Sequence, residues 1–315
     1  MNVDNPKDTT HIELCAGYSG ISLGLRRAIP NLRTVAYVEI EAFACANLVA
    51  KMENDQLDAA PVWTDLKTFP WAKFRDRVHI LSGGYPCQPF SLAGSRKGKD
   101  DPRHLWPFIR EGIRIVRPLY CFFENVEGHL SLGFREVQQS LHRLGYSVEA
   151  GIFSAEEVGA PHQRKRVFIL AYNTGPGLEG RTRPSIQVRD DGFTGGCGKA
   201  LADSHSERLE GCRESSIKSV QKRRQGTKRH PSSGCVLWPA RPGQLQQGWE
   251  PPRVIGKTKP SLGGNVDGAS GMLGYAELCQ SCDNRTDELR LLGNGVVPQT
   301  AELAFRTLIE KTVLT

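Results

Sequence analysis

Cys87 stands in the run Ser82-Gly-Gly-Tyr-Pro-Cys-Gln-Pro-Phe-Ser91, just after an apolar stretch, with Pro86 before it and Pro89 close behind. Proline fixes φ and removes a backbone donor, so a turn built this way serves to hold a geometry. A thiol held there is a soft nucleophile suited to an electron-poor ring carbon once its thiolate is populated. The competing reading, a buried structural cysteine, fits the rigid flanks less well. Glu124, in Glu124-Asn125-Val126, closes the apolar run Leu119–Phe123. Desolvation at such a position raises a carboxyl pKa and lets the group hold or donate a proton near neutrality. Arg164 and Arg166, in Pro161-His-Gln-Arg-Lys-Arg166, open another apolar run. Alternate residues of an extended segment share a face, so these two side chains are expected to point together at one anionic or carbonyl group.

A second group of residues suggests a pocket for an adenosine-type ligand. Glu13-Leu-Cys15-Ala16-Gly17-Tyr18-Ser19-Gly20 joins a short apolar run to a helix beginning near Ile21. Glycines at such a turn let a ligand approach the backbone and the helix N-terminus. Glu39 ends the next run, placed to accept hydrogen bonds from a ribose diol, and Asp65 follows a third. Each acidic residue alone reads as readily as a helix cap; in order and on consecutive units they describe the pocket.

The elements that must position these residues alternate. Strands are expected at His11–Cys15, Thr34–Glu39, Val78–Ser82, Leu119–Glu124, Ser147–Phe153 and Arg166–Tyr172. Leu105, Phe108, Ile109, Ile113 and Val116 fall at helical spacing between them, as do Phe134, Val137, Leu141 and Leu144. This alternation predicts an α/β fold with a parallel, doubly wound sheet, whose ligands lie at the strand ends. From Asn173 to about Asn284 the chain is rich in Gly, Pro, Ser and Arg, with a basic cluster from Lys222 to Arg229. It reads as a disordered insert or a small loop-rich domain, and the interspersed Trp238 and Trp249 favour the second. Helical patterning resumes at Val297–Val313, after Leu292-Gly-Asn294-Gly-Val296.

With 39% hydrophobic and 24% charged residues the composition is that of a soluble globular protein, and the net charge of +7 raises a polyanionic partner as a prior. No run is long enough to span a membrane and residues 1–10 lack a signal-peptide core, so the chain is expected to stay where it is made, in the cytoplasm. Nine scattered cysteines do not form a disulfide framework, which fits a reducing compartment. Cys279-x-x-Cys282 raises a zinc site, but no second pair stands at ligand spacing, and no metal is expected.

The ordered set of glycine turn, Pro86-Cys87-Gln88, Glu124-Asn125-Val126, paired arginines and Gly293-Asn-Gly-Val-Val-Pro298 resembles the bacterial and phage cytosine-5 DNA methyltransferases over residues 11–172 and 290–306. The resemblance implies S-adenosylmethionine as methyl donor, S-adenosylhomocysteine as product, and a mostly parallel, Rossmann-like methyltransferase sheet. It implies a catalytic domain of residues 1–172 plus 286–315 and a smaller, irregular target-recognition domain of 173–285. Cofactor contacts are implied for Cys15, Ala16, Gly17, Tyr18, Ser19, Gly20, Glu39, Ile40, Asp65, Leu66, Pro86, Leu105, Asn294 and Val296. Catalysis would fall to Cys87, Glu124, Arg164 and Arg166: thiolate attack at cytosine C6, a proton or hydrogen bond at N3, and Arg166, supported by Arg164, on the base carbonyl. The target base must leave the duplex stack, at about a few kcal/mol, and the basic segment Ser91–His104 is placed to close over it. Double-stranded DNA is the expected partner of a monomeric enzyme, with a restriction endonuclease as a candidate companion.

Some residues depart from the family pattern. Ser19 replaces a glycine, Cys15 a usual aromatic residue, Tyr85 a usual Phe and His162 a common Gln, and no Arg-x-Leu-x-Pro-Arg-Glu-like motif precedes the Gly-Asn-Gly turn. Rival readings are an RNA cytosine-5 methyltransferase, a catalytically silent DNA-binding regulator, and an enzyme using another one-carbon donor.

Overall fold

The computed structural model of the chain describes residues 8–86, 104–160, 162–173, 199–200 and 285–314. Its sheet is laid down by β1 (Thr9–Leu14), β2 (Leu32–Val38), β3 (Val62–Trp63), β4 (Ile80–Gly83), β5 (Tyr120–Val126), β6 (Tyr146–Phe153), β7 (Arg166–Asn173) and β8 (Lys199–Ala200). The helices are α1 (Gly20–Ala28), α2 (Ala42–Glu53), α3 (Trp106–Val116), α4 (His129–Leu132), α5 (Phe134–Arg143), α6 (Arg285–Asn294) and α7 (Pro298–Leu314).

Strand order is β3-β2-β1-β4-β5-β7-β6-β8. β1 pairs in parallel with both β2 and β4, and β4 with β5, so the order reverses between β1 and β4. A crevice opens at such a reversal, beyond the carboxyl ends of the strands, because their connections leave in opposite directions. The turn after β1 and the turn after β4 both begin there.

The expected mostly parallel, doubly wound sheet is present, parallel from β3 to β5 and antiparallel beyond it. β7 runs antiparallel to both β5 and β6, and β8 antiparallel to β6. Among the described residues the link from β6 to β7 carries a short 3-10 turn at Ala155–Val158 and no crossover helix, so the chain reverses.

The period of two decides which layer each residue joins. On β5, Phe122 packs with Leu25, Phe168, Phe305 and Leu308 beneath α1 and α7. Its neighbours Cys121 and Phe123 pack with Ile109, Ile113 and Leu141 of α3 and α5 on the other face. On β1, Ile12 and Leu14 join this second layer, while the intervening His11 and Glu13 are buried on the first. α1 and α7 approach closely at Gly24, where a Cβ would stand 2.5 Å from the Pro298 carbonyl oxygen.

Sequence periodicity missed α6. Its apolar residues are only Leu289, Leu291 and Leu292, too few in a ten-residue helix to mark an amphipathic stripe. No helix among the described residues is long and apolar enough to cross a membrane.

Candidate active site

A cavity of about 1090 Å³ occupies the crevice between β1 and β4. Its floor is the turn after β1, in which Cys15, Gly17 and Ser19 have φ of 50°, 53° and 68°. Two of these carry side chains in the left-handed region, a conformation that persists only where the surroundings over-determine it. Ser19 thus adopts the backbone that a glycine would, so the departure from the family pattern leaves the turn's shape intact. Cys15 belongs to this turn and not to the strand expected to include it.

Several bonds hold the turn. The Ala16 amide donates to the Val38 carbonyl at 3.1 Å, and the Gly17 amide to Glu39 Oε2 at 2.7 Å. Glu39 also accepts from the Glu41 amide through Oε1 at 2.9 Å. A carboxylate has about four lone-pair sites, so Glu39 keeps acceptor capacity for a diol. Asp65 caps the short turn Leu66–Thr68, its Oδ1 accepting from the Lys67 amide at 2.9 Å, and both Asp65 and Leu66 line the cavity. Ile40, 73% exposed, stands at the rim with a face open to a flat apolar group. Ala16, Gly20, Pro86, Leu105, Asn294 and Val296 complete the expected set that lines the cavity, together with Cys15 and Gly17.

Tyr18 and Ser19 do not face the cavity as expected. The Tyr18 ring is buried against Ala44, Leu291 and Leu292, and its hydroxyl donates to the Val296 carbonyl. Ser19 Oγ donates to the buried Glu13. Both side chains turn under the floor, and each finds a polar partner there.

On the cavity's other side Glu124 is 6% exposed and paired with Arg166, whose Nε lies 2.9 Å from Glu124 Oε1. Burial pushes the Glu124 carboxyl up to about 7, against the pull of Arg166 and Arg164. Such a group exchanges a proton at neutral pH. Asn125 turns back, Nδ2 donating to the Tyr85 carbonyl at 3.0 Å, and the Tyr85 hydroxyl bonds His129 Nε2 at 2.9 Å. Where the family usually has Phe, the Tyr hydroxyl therefore has a buried histidine for a partner. These bonds anchor the chain immediately before Cys87.

The shared face expected for Arg164 and Arg166 is not formed. Arg164 has φ of 37° and precedes β7, so the extended geometry starts only at Arg166. Arg164 instead donates to the carbonyls of Leu292, Gly293 and Gly295 at 2.9, 2.9 and 2.6 Å. It braces the turn that carries Asn294 over the cavity. Gly295 sits so tightly on Tyr18 that a Cβ would fall 1.7 Å from a ring carbon.

Cys87 lies outside the described residues, as do the Ser91–Arg103 segment, the basic cluster, Cys279 and Cys282, and nearly all of the expected recognition domain. Among the described residues no group of side chains has the makings of a metal site. Sequence reasoning passed over Lys51, Glu13 and the Arg290–Glu41 ion pair (2.7 Å) at the cavity rim. Lys51 had a signal: it continues the buried stripe of Ala44, Asn47 and Leu48 on α2.

The residues present suit S-adenosylmethionine: a carboxylate with spare acceptor sites at the end of β2, an apolar rim residue beside it, a second carboxylate at Asp65, and ample volume. A family model described as C-5 cytosine-specific DNA methylase matches residues 9–233. The type II methyltransferase M.NgoMIV of Neisseria gonorrhoeae is 35% identical over 169 residues, 51% of this chain and 51% of that protein. The type II methyltransferase M.AplI of Arthrospira platensis is 31% identical over 178 residues, 55% of this chain and 48% of that one. The chain thus spans about half the length of the curated relatives it matches. Among solved structures, the S. pombe Dnmt2 methyltransferase superposes with a TM-score of 0.58 at 20% identity, covering 96% of this chain and 99% of that one. That likeness bears on the fold alone.

Proposed function

Because the chain belongs to the C-5 cytosine-specific DNA methylase family, we propose that it methylates C5 of cytosine in duplex DNA at a specific sequence, with S-adenosylmethionine as donor. The observation that carries this reading is the pairing of buried Glu124 with Arg166 on the wall of the cavity whose floor is the Gly17 turn. One cavity then serves a cofactor and a planar base together.

Cytosine C5 is too weak a nucleophile to take a methyl group unaided. In the proposed reaction Cys87 Sγ bonds C6, and the ring's electron pair moves toward N3, where Glu124 supplies a proton or a hydrogen bond. Arg166 holds the base carbonyl and orients Glu124. S-adenosylmethionine, when bound, would supply an electrophilic methyl group to C5, with S-adenosylhomocysteine as the product. Once C5 carries the methyl group, a base takes the C5 proton, that electron pair re-forms the C5–C6 double bond as the Sγ–C6 bond breaks, the thiolate is restored, and the N3 proton returns to Glu124. Glu39 and Asp65 would hold the adenosine, with Ile40 against its flat face. Arg164 supports this site through the Asn294 turn rather than by touching the base.

The target cytosine must leave the stack to reach such a cavity. Residues 173–285 are proposed as the part that reads the DNA, with 1–172 and 286–315 as the catalytic part. A monomer acting in the cytoplasm, alongside a restriction endonuclease, completes the proposal. Its test is Cys87→Ser: transfer of a tritiated methyl group to DNA is expected to vanish while S-adenosylhomocysteine binding stays as in the unmodified chain. Full retained transfer would rule the thiolate mechanism out.

A further inference from the structure

Two charged groups under the cavity floor have no part in the reaction as proposed. Lys51 of α2 has 0% of its surface exposed, and Glu13 of β1 has 1%. An ammonium and a carboxylate in such places are costly unless each is bonded and the charges offset. Both conditions are met, and the bonds converge on the turn. Lys51 Nζ donates to the Tyr18 carbonyl and lies 5.0 Å from the centre of the Tyr18 ring. Glu13 accepts from the hydroxyls of Ser19 and Ser22 and from the Ser22 amide at 3.2 Å, which caps the N-terminus of α1. Each charge is felt by the other: burial pushes Lys51 down to about 7 and Glu13 up to about 7, and their mutual attraction opposes both shifts.

Tyr18 links this pair to the adjoining wall. Its carbonyl is held by Lys51, while its hydroxyl donates to the carbonyl of Val296, which lines the cavity. Moving Tyr18 therefore moves the floor and the Asn294–Val296 wall together. The flanking Gly17 and Ser19 are left-handed, a shape that an unpinned turn would relax.

We propose that Lys51 is a positioning residue for the cofactor: its ammonium, fixed on the Tyr18 carbonyl and balanced by Glu13, holds Gly17–Gly20 and the Val296 wall in the shape that receives the donor. This rests on the S-adenosylmethionine reading above. The test is the full chain with Lys51→Met, which keeps the length of the side chain and removes its charge and donors. Three quantities are compared with the unmodified chain: S-adenosylhomocysteine affinity by calorimetry, KM and kcat on unmethylated genomic DNA, and the thermal midpoint without ligand. The expected result is a rise of about tenfold or more in KM and Kd for the cofactor, with kcat at saturating cofactor within about threefold. A folded Lys51→Met chain with unchanged Kd and KM overturns the proposal, whatever happens to its thermal midpoint. If Lys51→Met shows no cooperative unfolding, Lys51→Gln, which retains a donor, is read the same way, and loss of folding in both assigns Lys51 to stability and overturns the proposal. Failure of the unmodified chain to bind S-adenosylhomocysteine would instead remove the cofactor reading itself.

Discussion

Glu124 shows how far a residue's chemistry can be inferred from its neighbours in sequence. An acid closing the run Leu119–Phe123 had to be desolvated, and burial does push its carboxyl up to about 7. In the proposed reaction the protonated carboxyl present below about that pH is the form that serves N3, so the Glu124-dependent rate is expected to decline as pH rises through 7, opposite to the rise expected from a thiolate nucleophile. Glu124→Gln is expected to lower kcat about 10²- to 10⁴-fold and to lose the alkaline decline; a pH–rate profile of both chains checks this. Arg164 was less legible. Its role depends on a positive φ and on three carbonyls more than a hundred residues away, neither of which residue type or spacing records. Lys51 was hidden for another reason, since a lysine on a helix is ordinarily solvated and only its place on the Ala44–Leu48 stripe signals burial.

Among the elements, those with a clear period were legible and those defined by pairing or by few side chains were not. β1, β2, β4, β5, β6, β7, α3, α5 and α7 all fall close to where apolar spacing puts them. β3, only Val62–Trp63, exists through its pairing with β2, and α6 through the packing of Leu291 and Leu292 beside Tyr18. The turn between α6 and α7 is then fixed by contacts from elsewhere. Arg164→Ala removes the donor for three of its carbonyls and is expected to lower stability by about 1–3 kcal/mol and weaken S-adenosylhomocysteine binding, as denaturant titration and calorimetry would report. Gly295→Ala drives a Cβ into the Tyr18 ring, so Tyr18 or the turn must shift. It is expected to raise KM for the cofactor more than it lowers kcat, measured by initial rates over a range of donor concentration.

Across the whole molecule, the reversal of strand order between β1 and β4 brings together a turn near residue 17, a turn before residue 87 and the end of β5. Alternation of strands and helices foretold a doubly wound sheet, but the antiparallel placement of β7 could not be read from it, because nothing in local spacing says which edge a returning strand joins. The same central strands bury His11, whose ring bonds Thr34 at 3.0 Å and Ser82 at 2.7 Å. Burial pushes its pKa from 6.5 down to about 3, below the value in the unfolded chain. Its contribution to stability is therefore complete above about pH 6.5 and is lost as pH falls toward 3. At about pH 5 this amounts to about 2 kcal/mol. His11→Asn is expected to lose that much less than the unmodified chain between about pH 7 and 5, as urea midpoints at the two pH values would show.

The proposed activity is defined by which atom of which base receives the methyl group. Unmethylated duplex DNA incubated with the purified chain and deuteromethyl-labelled S-adenosylmethionine, then digested to nucleosides and analysed by mass spectrometry, answers it directly. Label is expected in 5-methyldeoxycytidine alone, with none when transfer RNA replaces DNA. Label in N4-methyldeoxycytidine or N6-methyldeoxyadenosine, or in transfer RNA but not DNA, would contradict it.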